Sequence, residues 1–283
     1  MDRTSPPRGT PTERRIARVR AYVRDHLAGD LSLDALSEVA CLSRFHWHRV
    51  YRAAIGETVW ETVRRERLAR AGPLLALGTL PLPELARLCG FSDANALGRA
   101  ARAAWGLSPS QVRARGVAPT PEPAPRPPQE DQDMDVTLRD DPAAEIAALL
   151  HRGPYREIGH AFSLLMGRLD GVAVAGPTFA VYHDDPSAVA EADLRSHAGI
   201  EVAPGAPLPP GLDRLQLPAG RRAVTVHRGP YEGLEATWER FYAWLGASGL
   251  DVADAAPFER YLDDPREVAP EDLLTEILVP LRP

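Results

Sequence analysis

A chain of 283 residues is long enough for two domains, each with a core of its own. Its net charge of −6 hides a division: residues 1–116 carry 19 Arg against 11 acidic residues, 117–135 carry 1 against 5, and 136–283 carry 13 against 23. A basic first part suits a polyanionic partner and an acidic last part a neutral or cationic one. All 33 basic residues are Arg, which excludes Schiff-base lysine chemistry and a phosphate-loop lysine. Met1-Asp2-Arg3-Thr4-Ser5-Pro6-Pro7 lacks the apolar stretch of a signal peptide, and no apolar run approaches the roughly 20 residues of a membrane span, so a cytoplasmic protein without membrane contact is expected. Cys41 and Cys89 lack CxxC spacing and sit in apolar context; they read as buried, reduced thiols, and no metal or cofactor is expected.

In chain order, Ile16, Val19, Val23 and Leu27 fall at helical spacing and Gly29 ends that segment. Ser32 is placed to cap a short helix carrying Leu33, Leu36 and Val39, Ala40-Cys41-Leu42 makes a tight turn, and Ser43 caps the next helix to about Ala54. Two short helices joined by such a turn form a helix-turn-helix, whose second member enters a DNA major groove. The pattern Leu36, Val39, Ala40, Cys41, Leu42, Ser43 returns 49 residues on as Leu85, Leu88, Cys89, Gly90, Phe91, Ser92. Thr58 to Leu77 between them predicts a helix about 30 Å long, close to the roughly 34 Å between successive major grooves.

The segment Leu85-Ala86-Arg87-Leu88-Cys89-Gly90-Phe91-Ser92-Asp93, followed by Trp105-Gly106-Leu107-Ser108-Pro109-Ser110-Gln111-Val112-Arg113, resembles the signature of the AraC/XylS family of transcription regulators over about residues 12–116. The resemblance implies that double-stranded DNA is read by Arg44, Phe45, His48 and Arg49 on the first recognition helix and by Arg99 on the second, with RNA polymerase as a further partner. Arg to guanine and an apolar ring on a thymine methyl are the contacts that base chemistry favours. Trp47 and Val50 at helical spacing read as core, which leaves Phe45 outward. Arg64, Arg65 and Arg67 read as a solvated face, and His46 and His48 have the wrong spacing for a shared metal.

Residues 117–135, rich in Pro and acids, predict an extended linker. Beyond it the chain repeats itself: His151-Arg152-Gly153-Pro154-Tyr155 returns 76 residues later as His227-Arg228-Gly229-Pro230-Tyr231, and Tyr182-His183-Asp184-Asp185-Pro186 returns as Tyr261-Leu262-Asp263-Asp264-Pro265 after a three-residue insertion. Residues 136–283 therefore predict two pseudo-symmetric βαβ-type repeats, 136–205 and 212–283, packed side by side with a cleft along their seam. Together with the all-α double helix-turn-helix part this gives a multidomain chain, all-α followed by α+β.

The repeated His-Arg-Gly-Pro-Tyr, the run Phe258 to Pro265 and the closing Leu274 to Leu281 resemble the gyrase inhibitor-like effector-binding domain, and the two domains in this order resemble the Rob-type branch of the AraC/XylS family. Aligning the repeats sets Glu259 against Ala180, so one half offers a carboxylate where the other offers a methyl, an off-centre negative charge in a symmetric cup. With Tyr155, Tyr182, Tyr231, Trp238, Trp244 and Tyr261 as candidate walls, that carboxylate suits a lipophilic cation, and the resemblance implies the same ligand-binding role. Trp238, Phe241, Trp244 and Leu245 at helical spacing equally describe a core stripe, Tyr155 and Tyr231 equally cap the helices after their Gly-Pro turns, and Glu276 is placed to pair with Arg228 or Arg152. His183 and His197 read as ordinary polar residues. The leading reading is a DNA-binding regulator that senses a small organic molecule; the alternatives are a hydrolase working through Glu259 and a protein-sequestering module. GxSxG, HExxH and paired-carboxylate motifs are absent from the sequence, and no catalytic residue is assigned.

Overall fold

The computed structural model describes residues 10–40, 47–122, 134–186 and 189–283. Contacts divide them into two compact units: 13–40 with 51–122, and 10–12 with 47–50 and 134–283.

The helices run α1 (Pro11–Asp25), α2 (Leu33–Ala40), α3 (Trp47–Ile55), α4 (Val59–Leu77), α5 (Leu82–Leu88), α6 (Ala94–Trp105) and α7 (Pro109–Arg115). Their ends follow the sequence closely. Ser32 Oγ accepts from Ala35 N–H, Thr58 and Glu61 close a reciprocal capping box on α4 whose far end stops at Gly78 in the left-handed region, and Asp93 accepts from Ala96 N–H at the start of α6. The spacer α4 has 19 residues and is about 28 Å long. One core, Leu68, Leu75, Leu85, Cys89, Phe91, Leu97, Ala101 and Val112 among others, joins α4 through α7. The turn between α5 and α6 passes so close to the turn after α1 that a Cβ on Gly90 would stand 1.8 Å from Leu27 O. Arg67 Nε donates to the same carbonyl at 3.0 Å and Arg65 pairs with Glu57 at 2.9 Å, so two of the arginines expected on a solvated face are structural ties.

Residues 137–280 form an eight-stranded antiparallel sheet: β1 (Thr137–Asp141), β2 (Ala144–Arg152), β3 (Val174–Tyr182), β4 (Arg195–Val202), β5 (Asp213–Leu217), β6 (Gly220–Arg228), β7 (Phe258–Tyr261) and β8 (Leu274–Pro280), with α8 (Gly159–Met166) after β2 and α9 (Leu234–Ser248) after β6. The order β1-β6-β8-β7-β3-β4-β2-β5 is unchanged when the halves are interchanged. The sequence repeat is thus a pseudo-two-fold whose axis passes between β3 and β7. The halves do not lie side by side as separate units: β1 pairs on β6 and β5 on β2, so each half contributes its first strand to the other.

Alternation sends the two faces to different cores. One holds Ala147, Ala180, Tyr182, Ala198 and Ile200 beneath Ile158, Ala161 and Leu165 of the first helix region, with Trp238 and Tyr261 at its margin. The other curls on itself, so that Leu217 of an edge strand shares a cluster with Ile146, Phe179, Val224, Phe258 and Leu278.

Candidate functional site

The β3–β7 register sets Ala180 directly opposite Glu259. These residues are also equivalents in the repeat, so the pair lies on the pseudo-two-fold itself. The carboxylate expected off-centre is therefore central, and the expected open seam is closed over it, for Glu259 is only 1% exposed.

Three neighbours hold the carboxylate. Tyr182 Oη and Tyr261 Oη, equivalents from the two halves, both donate to Oε2 at 2.7 Å, and Trp238 Nε1 donates to Oε1 at 2.7 Å. An indole N–H can only donate, so Oε1 accepts from Trp238, and donors on both oxygens favour the charged form. Burial nevertheless pushes the Glu259 pKa up, against the pull of the hydrogen bonds from Tyr261, Trp238 and Tyr182. Burial and the adjacent carboxylate hold both phenols well above the usual tyrosine range.

The aromatic surround repeats about the axis. Tyr155 packs on Tyr182 at 4.7 Å between ring centroids, and its equivalent Tyr231 packs on Tyr261 at 5.4 Å. Trp238 of α9 stands edge-on to Tyr182 of the other half at 6.0 Å and 88°, while its equivalent Phe162 of α8 stands edge-on to Tyr261 at 5.4 Å and 88°. The symmetry is broken at two places, Glu for Ala on the axis and Trp for Phe beside it, and these two substituted groups are hydrogen-bonded to each other. Phe162 was not singled out from sequence, although the 76-residue offset pairs it with Trp238.

The remaining expected residues divide. Tyr155 Oη donates to Asp184 O at 2.7 Å and burial pushes its pKa up to about 12, so it braces the loop after β3 while its ring walls the site. Tyr231 lies at the exposed rim. Trp244 stacks on Phe241 at 6.3 Å and is not among the donors to Glu259. Glu276 pairs with Arg139 and Arg260 rather than with Arg228 or Arg152. His183 Nε2 and His197 Nδ1 lie 2.6 Å apart, and His197 Nε2 is 3.3 Å from Asp213. Ser196 and Thr275, also equivalents, are fully buried, with no hydrogen-bond partner for either hydroxyl among the described residues. A cleft of about 460 Å³ along β6, lined by Arg139, His227, Arg228 and Arg240 among others, does not include Glu259. Among the described residues no group of three or more His, Cys, Asp or Glu could hold a metal ion, and no helix is long and apolar enough to cross a membrane.

Of the expected DNA contacts, Arg99 is exposed on α6. His48 and Arg49 group with the second unit, where His48 Nδ1 is 3.7 Å and Arg49 Nε 3.8 Å from Asp185 and the Arg49 guanidinium lies 5.0 Å from the Tyr242 ring. Arg44 and Phe45, with Cys41, Ser43 and His46, lie outside the described residues.

Fold and site together define a two-part protein, a helix-turn-helix region of the AraC type followed by a duplicated α+β receptor domain. A family model described as a GyrI-like small molecule binding domain matches residues 134–282, more than half of the chain, and a helix-turn-helix model matches residues 36–115. The chain belongs to the GyrI-like small molecule binding domain family. It is 34% identical over 90 residues to the probable transcriptional regulator LumQ of Photobacterium leiognathi, covering 32% of this chain and 36% of LumQ. It is 32% identical over 93 residues to the transcriptional activator RhaS of Escherichia coli, covering 33% and 34%. The chain thus spans about a third of the length of these curated relatives. Among solved structures, the C-terminal domain of EcmrR aligns with a TM-score of 0.46 at 18% identity, covering 53% of this chain and 98% of that one.

Proposed function

We propose that this chain is a sequence-specific transcription regulator that binds double-stranded DNA through its helix-turn-helix region and senses a lipophilic organic cation at Glu259. The observation that carries the ligand half is a buried carboxylate on an internal axis, held by three aromatic donors and by no direct cationic partner among the described residues. A charge removed from water with no ion-pair partner among the described residues, and only the more distant His227 acting on it by coulombic attraction, is costly, and a cation that enters the aromatic surround relieves that cost while gaining contact with the ring faces. The DNA half is supported by the basic helical part and by the two helix-turn-helix repeats on the α4 spacer. Within it Arg44, Phe45 and Arg99 are the proposed base readers, while His48, fully buried, and Arg49, beside Asp185 and Tyr242, are not free to read a base in this arrangement; RNA polymerase is the proposed partner on the promoter. A cytoplasmic location accords with this reading.

Titration of the full chain with tetraphenylphosphonium, followed by tryptophan fluorescence, tests the ligand half. Glu259→Gln weakens the cation at least about tenfold and leaves the neutral triphenylphosphine oxide unaffected; equal losses for the two compounds overturn the assignment. Selection of duplexes from a random pool by the same protein yields one consensus sequence, and a pool that stays random overturns the DNA half.

A second reading, hydrolysis of a reactive small molecule with Glu259 as general base, draws on the raised pKa of that carboxylate. Turnover by the full chain that is lost in Glu259→Gln distinguishes it.

A further inference from the structure

The first residues of α3, 47–50, group with the second unit, and two of them pack on the receptor domain there. The Arg49 guanidinium lies 5.5 Å from the Trp238 ring and 5.0 Å from the Tyr242 ring, both on α9. Its Nε is 3.8 Å from the carboxylate of Asp185, in the loop after β3, and His48 Nδ1 is 3.7 Å from the same carboxylate. This is an interior contact, for His48 is 0% and Asp185 4% exposed. Trp238 is thereby shared: its N–H donates to Glu259 at 2.7 Å while its ring receives Arg49. The other half of the repeat is built differently. Where α9 has Trp238 and Tyr242, α8 has Phe162 and Met166, and Met166 is exposed. The equivalent of Asp185 is Asp264, which pairs with Arg266 of its own loop. The repeat thus departs from its symmetry where it meets α3, as well as at Glu259.

We infer that this contact is an autoinhibitory clamp: Asp185, Trp238 and Tyr242 hold the Arg49 side of α3 away from DNA, and a cation bound at Glu259 opens it, so that effector and DNA strengthen each other's binding. The inference rests on the reading of Glu259 as the ligand's counter-charge and of α3 as a groove-reading helix, and adds the regulation that links the two. Arg49 and a lipophilic cation are like charges drawn to the same indole, one already on its ring and the other toward the carboxylate at its N–H edge. A cation therefore binds better once Arg49 has left the ring, and a ligand that binds one state better shifts the population toward it. Arg49, released from Asp185, can then offer guanine the paired donors that base chemistry favours. The coupling is reciprocal: the factor by which the ligand tightens DNA is the factor by which DNA tightens the ligand.

Asp185→Asn removes the carboxylate of the clamp and leaves Glu259 and its aromatic donors in place. Native-state hydrogen exchange on the full chain, with neither ligand nor DNA, then shows the α3 amides exchanging about fivefold faster or more while those of α6 keep their rates. Unchanged α3 rates overturn the clamp. Arg49→Gln, which removes the competing charge, tightens tetraphenylphosphonium about fivefold or more and leaves the neutral triphenylphosphine oxide as it was. If Arg49→Gln changes neither compound while Glu259→Gln weakens the cation, the link from ligand to clamp is overturned and the counter-charge reading stands. If Glu259→Gln has no effect on the cation, the counter-charge reading falls and takes the opening step with it, whereas α3 exchange in Asp185→Asn still decides the clamp. On the consensus duplex from the pool selection, tetraphenylphosphonium tightens wild-type binding about fivefold or more, and Asp185→Asn binds that tightly without it. A cation that weakens DNA binding, or leaves it unchanged, overturns the inference.

Discussion

Replacing Tyr261 by Phe removes one of the two phenol donors on Glu259 Oε2 and little else. The ring keeps its edge-on contacts with Phe162 and Tyr231, so the loss is the hydroxyl. That hydroxyl makes a 2.7 Å bond to a carboxylate that is 1% exposed. Hydrogen bonds to charged groups contribute about 1.5–3 kcal/mol, against about 0.5–1.5 kcal/mol for neutral pairs. Tyr261→Phe therefore costs about 2 kcal/mol in the wild type. In a Glu259→Gln background the acceptor is neutral and the same change costs about 1 kcal/mol, which leaves a coupling of about 1 kcal/mol in the double-mutant cycle. Native-state hydrogen exchange on the amides of β3, β7 and β8 reads the stability of this sheet separately from the helical unit. The reasoning is refuted if Tyr261→Phe costs the same in both backgrounds to within about 0.3 kcal/mol, the usual limit of additivity for independent sites.

Two further outcomes follow from the same geometry and from the helical unit. Because burial raises the folded pKa of Glu259 above its unfolded value, its stabilising contribution is fully present below the unfolded carboxylate pKa and is lost as pH rises through the folded one. The wild-type sheet thus loses stability relative to Glu259→Gln as pH rises across that window, while affinity for tetraphenylphosphonium increases as the carboxylate ionises; a stability difference independent of pH, measured by the same exchange experiment, rejects the assignment. Gly90→Ala places a Cβ against Leu27 O at a backbone φ of +85°, a combination of strain and overlap that costs about 3 kcal/mol or more. Its melt by circular dichroism shows a helical transition at lower temperature, and an unchanged transition contradicts the close approach of the α5–α6 turn to Leu27.

The sequence is most legible where local chemistry decides. Ser32 and Thr58 mark helix starts because each carries an oxygen that satisfies an otherwise unpaired N–H. The repeated His-Arg-Gly-Pro-Tyr locates two equivalent turns because Gly153 and Gly229 adopt the same positive φ, 118° and 122°. The alignment sets Glu259 against Ala180 but predicts an off-centre charge; that the two are neighbours on the axis is visible only in the strand register, which the repeat does not specify. Strand pairing is less legible: that β1 joins β6 and β5 joins β2 is a choice among edges that share the same alternation, and only tertiary packing resolves it. Aromatics at helical spacing are ambiguous for a related reason. Trp238 and Trp244 lie on one helix six residues apart, yet one donates to the carboxylate and the other stacks on Phe241. The spacing alone does not distinguish them.

The exchange of first strands bears on how a lone carboxylate could arise at such a place. Before fusion, a half-length ancestor with this sheet order would be an intertwined homodimer, each copy lending an edge to its twin. In such a dimer every substitution at the axial position is made twice, and an acid there would set two like charges side by side, which oppose each other's ionisation. Joining the copies in one polypeptide removes that constraint: position 259 can become acidic while position 180 stays a methyl, and position 238 can acquire a donor that position 162 never needs. Gene fusion is thus what allows a polarised receptor to be carved from an evenly matched pair.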